Sequence, residues 1–219
     1  MLEAVLFDMD GVIVDTEPGY FDAVNEYLSR FQISISRKFN EQLIGVSYAR
    51  IWEVISTEYN LPGITAEEFI AGMEHCRKKR IAEEGYIPIV GTIRLIKDLY
   101  NSCIKTAIGS SSPRTEIEEV MDAVNIRPYI NAVISAGDEC NRGKPDPEVY
   151  LKAAEKLDVL PQSCLVIEDA SPGILAAKRA GMYAIGYQSL FGKQNLENAD
   201  YVVTSMNKVN VELCRKIAG

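Results

Sequence analysis

The chain has 219 residues, 47% hydrophobic and 25% charged, so it can bury a substantial core and lies outside the composition of disordered or fibrous proteins. Its net charge of -8 argues against a nucleic-acid-binding protein, because such proteins gather Lys and Arg to neutralise phosphates. The five cysteines form no Cys-x-x-Cys pair, and no segment has the pattern of a signal peptide or a membrane span, so we expect reduced thiols in a cytoplasmic protein.

Short apolar runs alternate with longer segments of helical periodicity over most of the chain. Six runs predict buried strands: Ala4 to Phe7, Thr106 to Ile108, Ala132 to Ser135, Leu165 to Ile167, Tyr183 to Tyr187 and Tyr201 to Val203. Intervening segments predict helices: Ile93 to Tyr100, Pro113 to Val124, Pro147 to Leu157 and Gly173 to Ala180. This alternation is typical of a parallel sheet covered by helices, and we predict a doubly wound, Rossmann-like α/β core.

The alternation is interrupted after the first strand, where only helical periodicity is found. Four amphipathic stretches follow one another: Tyr20 to Arg30, Arg37 to Leu43, Tyr48 to Tyr59 and Thr65 to Glu83. Helix-breaking segments that could act as hinges lie on both sides, at 15–18 and 86–91. We therefore predict a small all-helical cap domain of residues 15–87, inserted into an α/β core made of residues 1–14 and 88–219.

Acidic residues follow two of the apolar strands. Asp8 and Asp10 come after the first strand, and Glu168 and Asp169 follow a later one. An isolated Asp-x-Asp-Gly is more often a turn than a site. However, ligands of open parallel sheets bind beyond the carboxyl ends of the strands, and carboxylates from two strand ends suit a hard cation such as Mg²⁺. A carboxylate can also attack phosphorus and form an aspartyl phosphate.

Two further segments offer groups that suit a phosphate. Ser112 followed by Pro113 predicts the N-cap of the next helix, which leaves Ser110, together with Ser111, to offer a hydroxyl and backbone amides to a phosphate. Lys144 stands in a constrained turn between a glycine and a proline. Most lysines are solvated surface residues, but an ammonium held in such a turn could offset both the phosphate and the carboxylates.

In order and approximate spacing, these residues resemble the four motifs of the haloacid dehalogenase superfamily of phosphatases and phosphomutases. The matching residues are Asp8-x-Asp10-Gly11, Ser110, Lys144-Pro145-Asp146-Pro147 and Glu168-Asp169-x-x-x-Gly173. Segments 10–18 and 39–47 are similar to the β-phosphoglucomutase-type subgroup, which has a helical cap. The resemblance covers nearly the whole chain.

The resemblance implies a role for each acidic residue. Asp8 would attack the phosphoryl group, while Asp10 would protonate the leaving oxygen and then activate water or an acceptor hydroxyl. Mg²⁺ would be held by the Asp8 carboxylate, the Asp10 backbone carbonyl and Asp169. Glu168 would be either a fourth ligand or a residue behind the metal.

The resemblance also implies how the substrate is held. Ser110, Ser111 and Lys144 would bind the phosphoryl oxygens, and the cap would close to exclude water and select the substrate. The expected specificity residues of the cap are Tyr20, Val46, Ser47, Tyr48 and Arg50. The basic cluster at 77–80 could supply a contact to a distal phosphate, but we expect it to form a solvated helix face.

Hydrolysis and phosphoryl transfer between sugar hydroxyls remain alternatives. Tyr20 stands where the mutases have a histidine, and Tyr48 stands where they have an arginine, so a phosphatase acting on a small metabolite such as a sugar phosphate is preferred over a β-phosphoglucomutase. A non-catalytic binding protein is the third possibility, although the complete set of motif residues favours an enzyme. We expect a monomer, because no apolar interface segment is evident.

Overall fold

The computed structural model of the protein describes residues 1–40, 42–43, 48–61, 63–189 and 194–219. These residues form two compact units. One, the α/β unit, comprises Met1–Asp15 and Ile87–Gly219, and the other, the helical unit, comprises Thr16–Tyr86. Among the helices of these ranges, none combines the length and the apolarity needed to cross a membrane.

A six-stranded parallel sheet forms the centre of the α/β unit. Its strands are β1 (Ala4–Phe7), β2 (Lys105–Ser110), β3 (Ala132–Ser135), β4 (Cys164–Glu168), β5 (Tyr183–Tyr187) and β6 (Tyr201–Val203). They lie in the order β3-β2-β1-β4-β5-β6, and every neighbouring pair is parallel. The order changes direction at β1, which makes the carboxyl ends of β1, β2 and β4 the place where such sheets bind ligands. The predicted doubly wound fold is confirmed.

The helices account for most of the rest of the chain. They are α1 (Glu17–Leu28), α2 (Arg37–Asn40), α3 (Tyr48–Glu58), α4 (Ala66–Glu84), α5 (Val90–Asn101), α6 (Arg114–Ala123), α7 (Ala136–Glu139), α8 (Glu148–Leu157), α9 (Ser171–Arg179) and α10 (Val211–Ile217). The first four belong to the helical unit. Among its described residues, the insertion after the first strand therefore contains helices and no strand, as predicted.

The central strands of the sheet are buried on both faces. All four residues of β1 have no exposed surface, and the same is true of Leu165, Val166 and Ile167 in β4. A parallel sheet covered by helices on both faces requires such continuous apolar strands, because neither face meets water. The apolar runs in the sequence identified these strands for this reason.

The start of α6 differs from the prediction. The helix begins at Arg114, and Pro113 is its N-cap residue without a side-chain hydrogen bond. The Ser112 hydroxyl instead donates to Asp10 Oδ2 at 2.9 Å. The prediction that Ser112 caps this helix was wrong, because its hydroxyl is hydrogen-bonded to the Asp10 carboxylate and makes no bond to the first backbone N–H groups of the helix.

The helical unit has a hydrophobic core of its own. Phe69 on α4 is fully buried, and its ring packs edge-on against Tyr27 and at a tilt against Trp52, with 5.3 Å between the ring centroids in each case. The N-terminus of α4 carries a capping box, in which Thr65 and Glu68 exchange side-chain to backbone hydrogen bonds. This helix therefore begins at a position that its own sequence determines.

Candidate active site

The register of the sheet brings three residues to the same level. Phe7, the last residue of β1, pairs with Ile108 in β2 on one side and with Ile167 in β4 on the other. The next residues along the chain are Asp8, directly after β1, Gly109 in β2 and Glu168 at the end of β4. They come from distant parts of the sequence and meet because parallel strands end at the same edge of the sheet.

Lys144 is bound to all three of these residues. Its ammonium donates to Asp8 Oδ1 at 2.5 Å, to Glu168 Oε1 at 2.7 Å and to the carbonyl oxygen of Gly109 at 3.0 Å. The side chain is only 8% exposed. All three ammonium protons are therefore engaged, and Lys144 is a buried part of this cluster rather than a solvated surface residue.

Burial and neighbouring charges perturb the ionisation of this cluster. Desolvation raises the pKa of Asp8 to about 7, and the nearby Glu168 and Asp10 act in the same direction, while Lys144 opposes the shift. Burial alone would lower the pKa of Lys144, but the two carboxylates outweigh it and hold that pKa well above its ordinary value. One ammonium thus faces more than one carboxylate, and the cluster has an excess of negative charge.

Each carboxylate oxygen of Glu168 accepts two hydrogen bonds. Its Oε1 accepts hydrogen bonds from Lys144 and from the Tyr150 hydroxyl, the latter at 2.9 Å. Its Oε2 accepts from the backbone N–H groups of Asp169 and Ala170, both at 3.1 Å. A carboxylate has about four lone-pair sites, so the structure satisfies this one fully although it is almost completely buried.

Three carboxylates lie close enough to share a cation. Asp8, Glu168 and Asp169 each offer an oxygen, and these oxygens all lie within 4.8 Å of one another. Oxygen-only donors suit a hard divalent ion such as Mg²⁺, and such an ion would oppose the burial and the neighbouring carboxylates that raise the pKa of Asp8. The residues present therefore fit the predicted magnesium.

Two glycines leave room for these carboxylates. Gly11 has a φ of +74°, and a Cβ placed on it would lie 2.0 Å from Asp169 Oδ2. A Cβ on Gly173 would lie 1.6 Å from Glu168 Oε1. Both glycines stand where a side chain would displace an acidic group, and the Asp-Gly turn after β1 is thus part of the site.

Among the serines at the end of β2, Ser112 is hydrogen-bonded to Asp10. Besides donating to Asp10 through its hydroxyl, Ser112 donates its backbone N–H to Ser110 Oγ at 3.1 Å. Ser110 is 1% exposed, whereas Ser111 is exposed. As an acceptor in this turn, the Ser110 hydroxyl retains a proton that it can donate to a phosphate.

Two of the predicted specificity residues belong to a polar cluster within the helical unit. The Tyr48 hydroxyl donates to Glu74 Oε2 at 2.7 Å and lies 3.4 Å from the Tyr20 hydroxyl. Arg77 binds both oxygens of Glu74, at 2.9 and 3.0 Å, and its guanidinium lies 5.5 Å from the centre of the Tyr20 ring. The Arg77 side chain is 6% exposed, so the prediction of a solvated face was wrong for this residue.

The other specificity candidates are placed differently. Arg50 forms a surface ion pair with Glu53 at 2.8 Å, and both side chains are about 60% exposed, at 60% and 62%. Val46 and Ser47 lie outside the described residues.

Sequence reasoning did not identify Tyr150 and Glu74 as members of these clusters. Tyr150 occupies an apolar position of α8 and is fully buried, so its periodicity indicates packing alone. Glu74 is one of several acidic residues on α4, and only the structure shows that it binds both Tyr48 and Arg77.

The sequence of this chain is similar to those of known phosphate-transferring enzymes. The family model of the haloacid dehalogenase-like hydrolases matches residues 5–187. A phosphorylated carbohydrates phosphatase of Thermotoga maritima is 31% identical over 199 residues, covering 90% of this chain and 91% of that protein. A β-phosphoglucomutase of Bacillus subtilis is 32% identical over 219 residues, covering 97% and 93%.

The structural comparison agrees with the sequence comparison. The crystal structure of a β-phosphoglucomutase from Clostridium difficile superposes with a TM-score of 0.76 at 29% identity, covering 100% of this chain and 97% of that one. The predicted resemblance to the β-phosphoglucomutase-type subgroup is thus confirmed. The chain belongs to the haloacid dehalogenase-like hydrolase family.

Proposed function

We propose that this hydrolase, a phosphoric monoester hydrolase, removes phosphate from a phosphorylated carbohydrate, with Asp8 as the nucleophile. One observation carries the proposal: the Asp8 carboxylate lies at the end of the central strand, hydrogen-bonded to the Lys144 ammonium and within 4.8 Å of two further carboxylates. Such a site combines a nucleophile with cations that neutralise a transferring phosphoryl group. The Thermotoga maritima relative, whose name is phosphorylated carbohydrates phosphatase, supports this substrate class.

The reaction proceeds in two steps. In the first, an Asp8 oxygen forms a bond to phosphorus, the bond from phosphorus to the ester oxygen breaks, and Asp10 gives a proton to the departing alcohol. In the second, Asp10 takes a proton from a water molecule, which attacks the aspartyl phosphate and releases inorganic phosphate. The hydrogen bond from Ser112 to Asp10 Oδ2 holds that carboxyl group in place for both transfers.

The cations of the site have separate tasks. Lys144 favours the ionised form of Asp8 against the effect of burial, and its ammonium is available to neutralise the phosphoryl oxygens. When bound, Mg²⁺ would be held by Asp8, Asp169 and the backbone carbonyl of Asp10, and would act as a Lewis acid on the phosphoryl group. We place Glu168 behind the metal, because four donors already occupy its carboxylate oxygens.

A second candidate activity is the β-phosphoglucomutase reaction. The Bacillus subtilis relative with that name favours it. The helical unit argues against it, because Tyr48, at the position of the mutase arginine, is hydrogen-bonded to the Glu74 carboxylate. A neutral phenol bound to an acid supplies no cation for the second phosphate of a sugar bisphosphate, so hydrolysis remains our preferred function.

Product analysis distinguishes the two activities. β-Glucose 1-phosphate is incubated with the protein, Mg²⁺ and a trace of the 1,6-bisphosphate, and glucose 6-phosphate and free phosphate are both quantified. We expect free phosphate to dominate, here or with other sugar monophosphates, and to disappear in Asp8→Asn. Asp98→Asn, at an exposed position of α5, is the matched control and should behave as the wild type. Dominant glucose 6-phosphate would establish the mutase instead, and phosphate release that survives Asp8→Asn would refute the nucleophile.

A further inference from the structure

Tyr150 is the largest fully buried side chain of the protein's described core. Its ring packs against Gly109, where an added Cβ would lie only 3.0 Å from the ring atom Cε1. Its hydroxyl donates to Glu168 Oε1 at 2.9 Å, and the Lys144 ammonium lies 5.0 Å from the ring centre. A single side chain on α8 thus contacts three of the groups that surround Asp8.

Packing alone does not require the hydroxyl. A phenylalanine would fill the same space against Gly109, whereas a buried hydroxyl destabilises a protein unless it finds a partner. Here the partner is the Glu168 oxygen that also accepts the hydrogen bond from Lys144. The two donors therefore share one acceptor atom, and each affects how strongly Glu168 attracts the other.

The geometry points to Tyr150 as a positioning residue of the phosphoryl-transfer site, which acts through Glu168 on Lys144. With the hydroxyl present, its hydrogen bond offsets part of the charge on Glu168, and the Lys144 ammonium donates hydrogen bonds both to Glu168 at 2.7 Å and to Asp8 at 2.5 Å. Without it, the unshared charge on Glu168 Oε1 draws the ammonium towards Glu168 and away from Asp8 and the phosphoryl oxygens. This inference rests on the proposed function, because the displaced ammonium matters only if phosphate is bound there.

The substitution Tyr150→Phe removes the hydroxyl and keeps the ring. We expect kcat on a sugar phosphate to fall about 10-fold and KM to rise about fivefold, because the displaced ammonium weakens the contacts to the phosphoryl group both in the bound ester and in the transition state. A hydrogen bond to a charged group is typically worth this much. Tyr27→Phe is the matched control, since Tyr27 is also buried and its hydroxyl donates to the Glu68 carbonyl within the helical unit. Its kcat should equal that of the wild type.

A double-mutant cycle with Glu168→Gln separates positioning from a loss of folded protein. If Tyr150 acts through Glu168, the Tyr150→Phe change should alter kcat less than about twofold in the Glu168→Gln background, because the charge that it shields is gone. If Tyr150→Phe lowers kcat by the same factor in both backgrounds, the inference is overturned, because independent losses, such as a smaller fraction of folded protein, multiply in this way. Unchanged kcat in Tyr150→Phe would overturn it as well.

Calorimetric binding of inorganic phosphate in Mg²⁺ gives a readout independent of turnover. For the same four proteins of the cycle, we expect affinity to fall about fivefold in Tyr150→Phe and to change little between the two Glu168→Gln proteins. If the wild type binds phosphate but hydrolyses no ester, the proposed function fails while this cycle still decides the role of Tyr150. If the wild type neither binds phosphate nor hydrolyses an ester, both proposals are refuted.

Discussion

Gly11 makes two distinct contributions that a single substitution would remove together. In Gly11→Ala the residue must adopt a φ of +74°, which costs a non-glycine residue about 1 to 2 kcal/mol. The new Cβ would also lie 2.0 Å from Asp169 Oδ2. The carboxylate must then withdraw by on the order of 1 Å, and a displacement of that size in an active site lowers the rate by about 100-fold.

Gly181→Ala separates these two effects. Gly181 has a φ of +75° and no atom within 4 Å of the position of an added Cβ, so only the backbone strain remains. Urea denaturation should show a loss of unfolding free energy of about 1 to 2 kcal/mol in Gly181→Ala and at least as much in Gly11→Ala, where the displaced carboxylate adds to the strain. Steady-state kinetics should show the loss of kcat, with a weaker apparent affinity for Mg²⁺, in Gly11→Ala alone.

Two results would refute this reasoning. If Gly11→Ala retains a kcat within twofold of the Gly181→Ala value, then the position of Asp169 does not matter for turnover and its assignment to the metal is wrong. If Gly181→Ala loses as much activity as Gly11→Ala, backbone strain rather than the displaced carboxylate explains the loss.

Three further predictions concern the helical unit, the thiols and the metal. Glu74→Gln removes the carboxylate charge that the Arg77 guanidinium, whose side chain is 6% exposed, binds through two hydrogen bonds, and should lower the unfolding free energy by about 2 kcal/mol in urea. Glu53→Gln, at an exposed pair, should cost under about 1 kcal/mol, and equal losses would contradict the burial argument. Burial raises the pKa of Cys164 to about 12, whereas the pKa of a thiol in an unfolded chain is about 8.5. The stability that the buried neutral thiol contributes is therefore complete below about pH 8.5 and is lost as the pH rises towards about 12. The unfolding free energy of Cys164→Ala should therefore fall less steeply than that of the wild type above about pH 8.5, by up to about 1.4 kcal/mol per pH unit, and parallel curves would refute this. Chelation with EDTA should stop hydrolysis and added Mg²⁺ should restore it, while turnover in EDTA would contradict the metal assignment.

The sheet could be predicted from the sequence because burial on both faces leaves a clear pattern. Each strand is an apolar run, and only the ends differ, as in β2, which extends from Lys105 to Ser110 because backbone pairing continues into polar residues. The helices α7 and α10 are not among the predicted elements. Both are short, with four and seven residues, and have too few turns to show a helical period.

The site could be predicted only in part, for a different physical reason. The position of a residue after a strand indicates which side chains meet, and Asp8, Lys144 and Glu168 do lie together. The partner of an individual hydroxyl depends on how each element is rotated, which no local pattern encodes. Ser112 and Tyr150 illustrate this, since the sequence suggests a helix cap and a core aromatic, while the structure shows a hydrogen bond to a carboxylate in each case.

The central position of β1 also has a consequence for how the chain folds. β1 spans Ala4–Phe7, but its two neighbours in the sheet are Lys105–Ser110 and Cys164–Glu168, so during synthesis the first strand is made long before the residues that cover its edges. The contacts of the helical unit, between α1 and α4, span a much shorter stretch of chain. Because non-local parallel pairing is slow, the helices are expected to form first and the sheet last. Until β4 is complete, the first apolar strand is a segment that chaperones would be expected to bind, and the acidic cluster exists only after β1 has paired with β4.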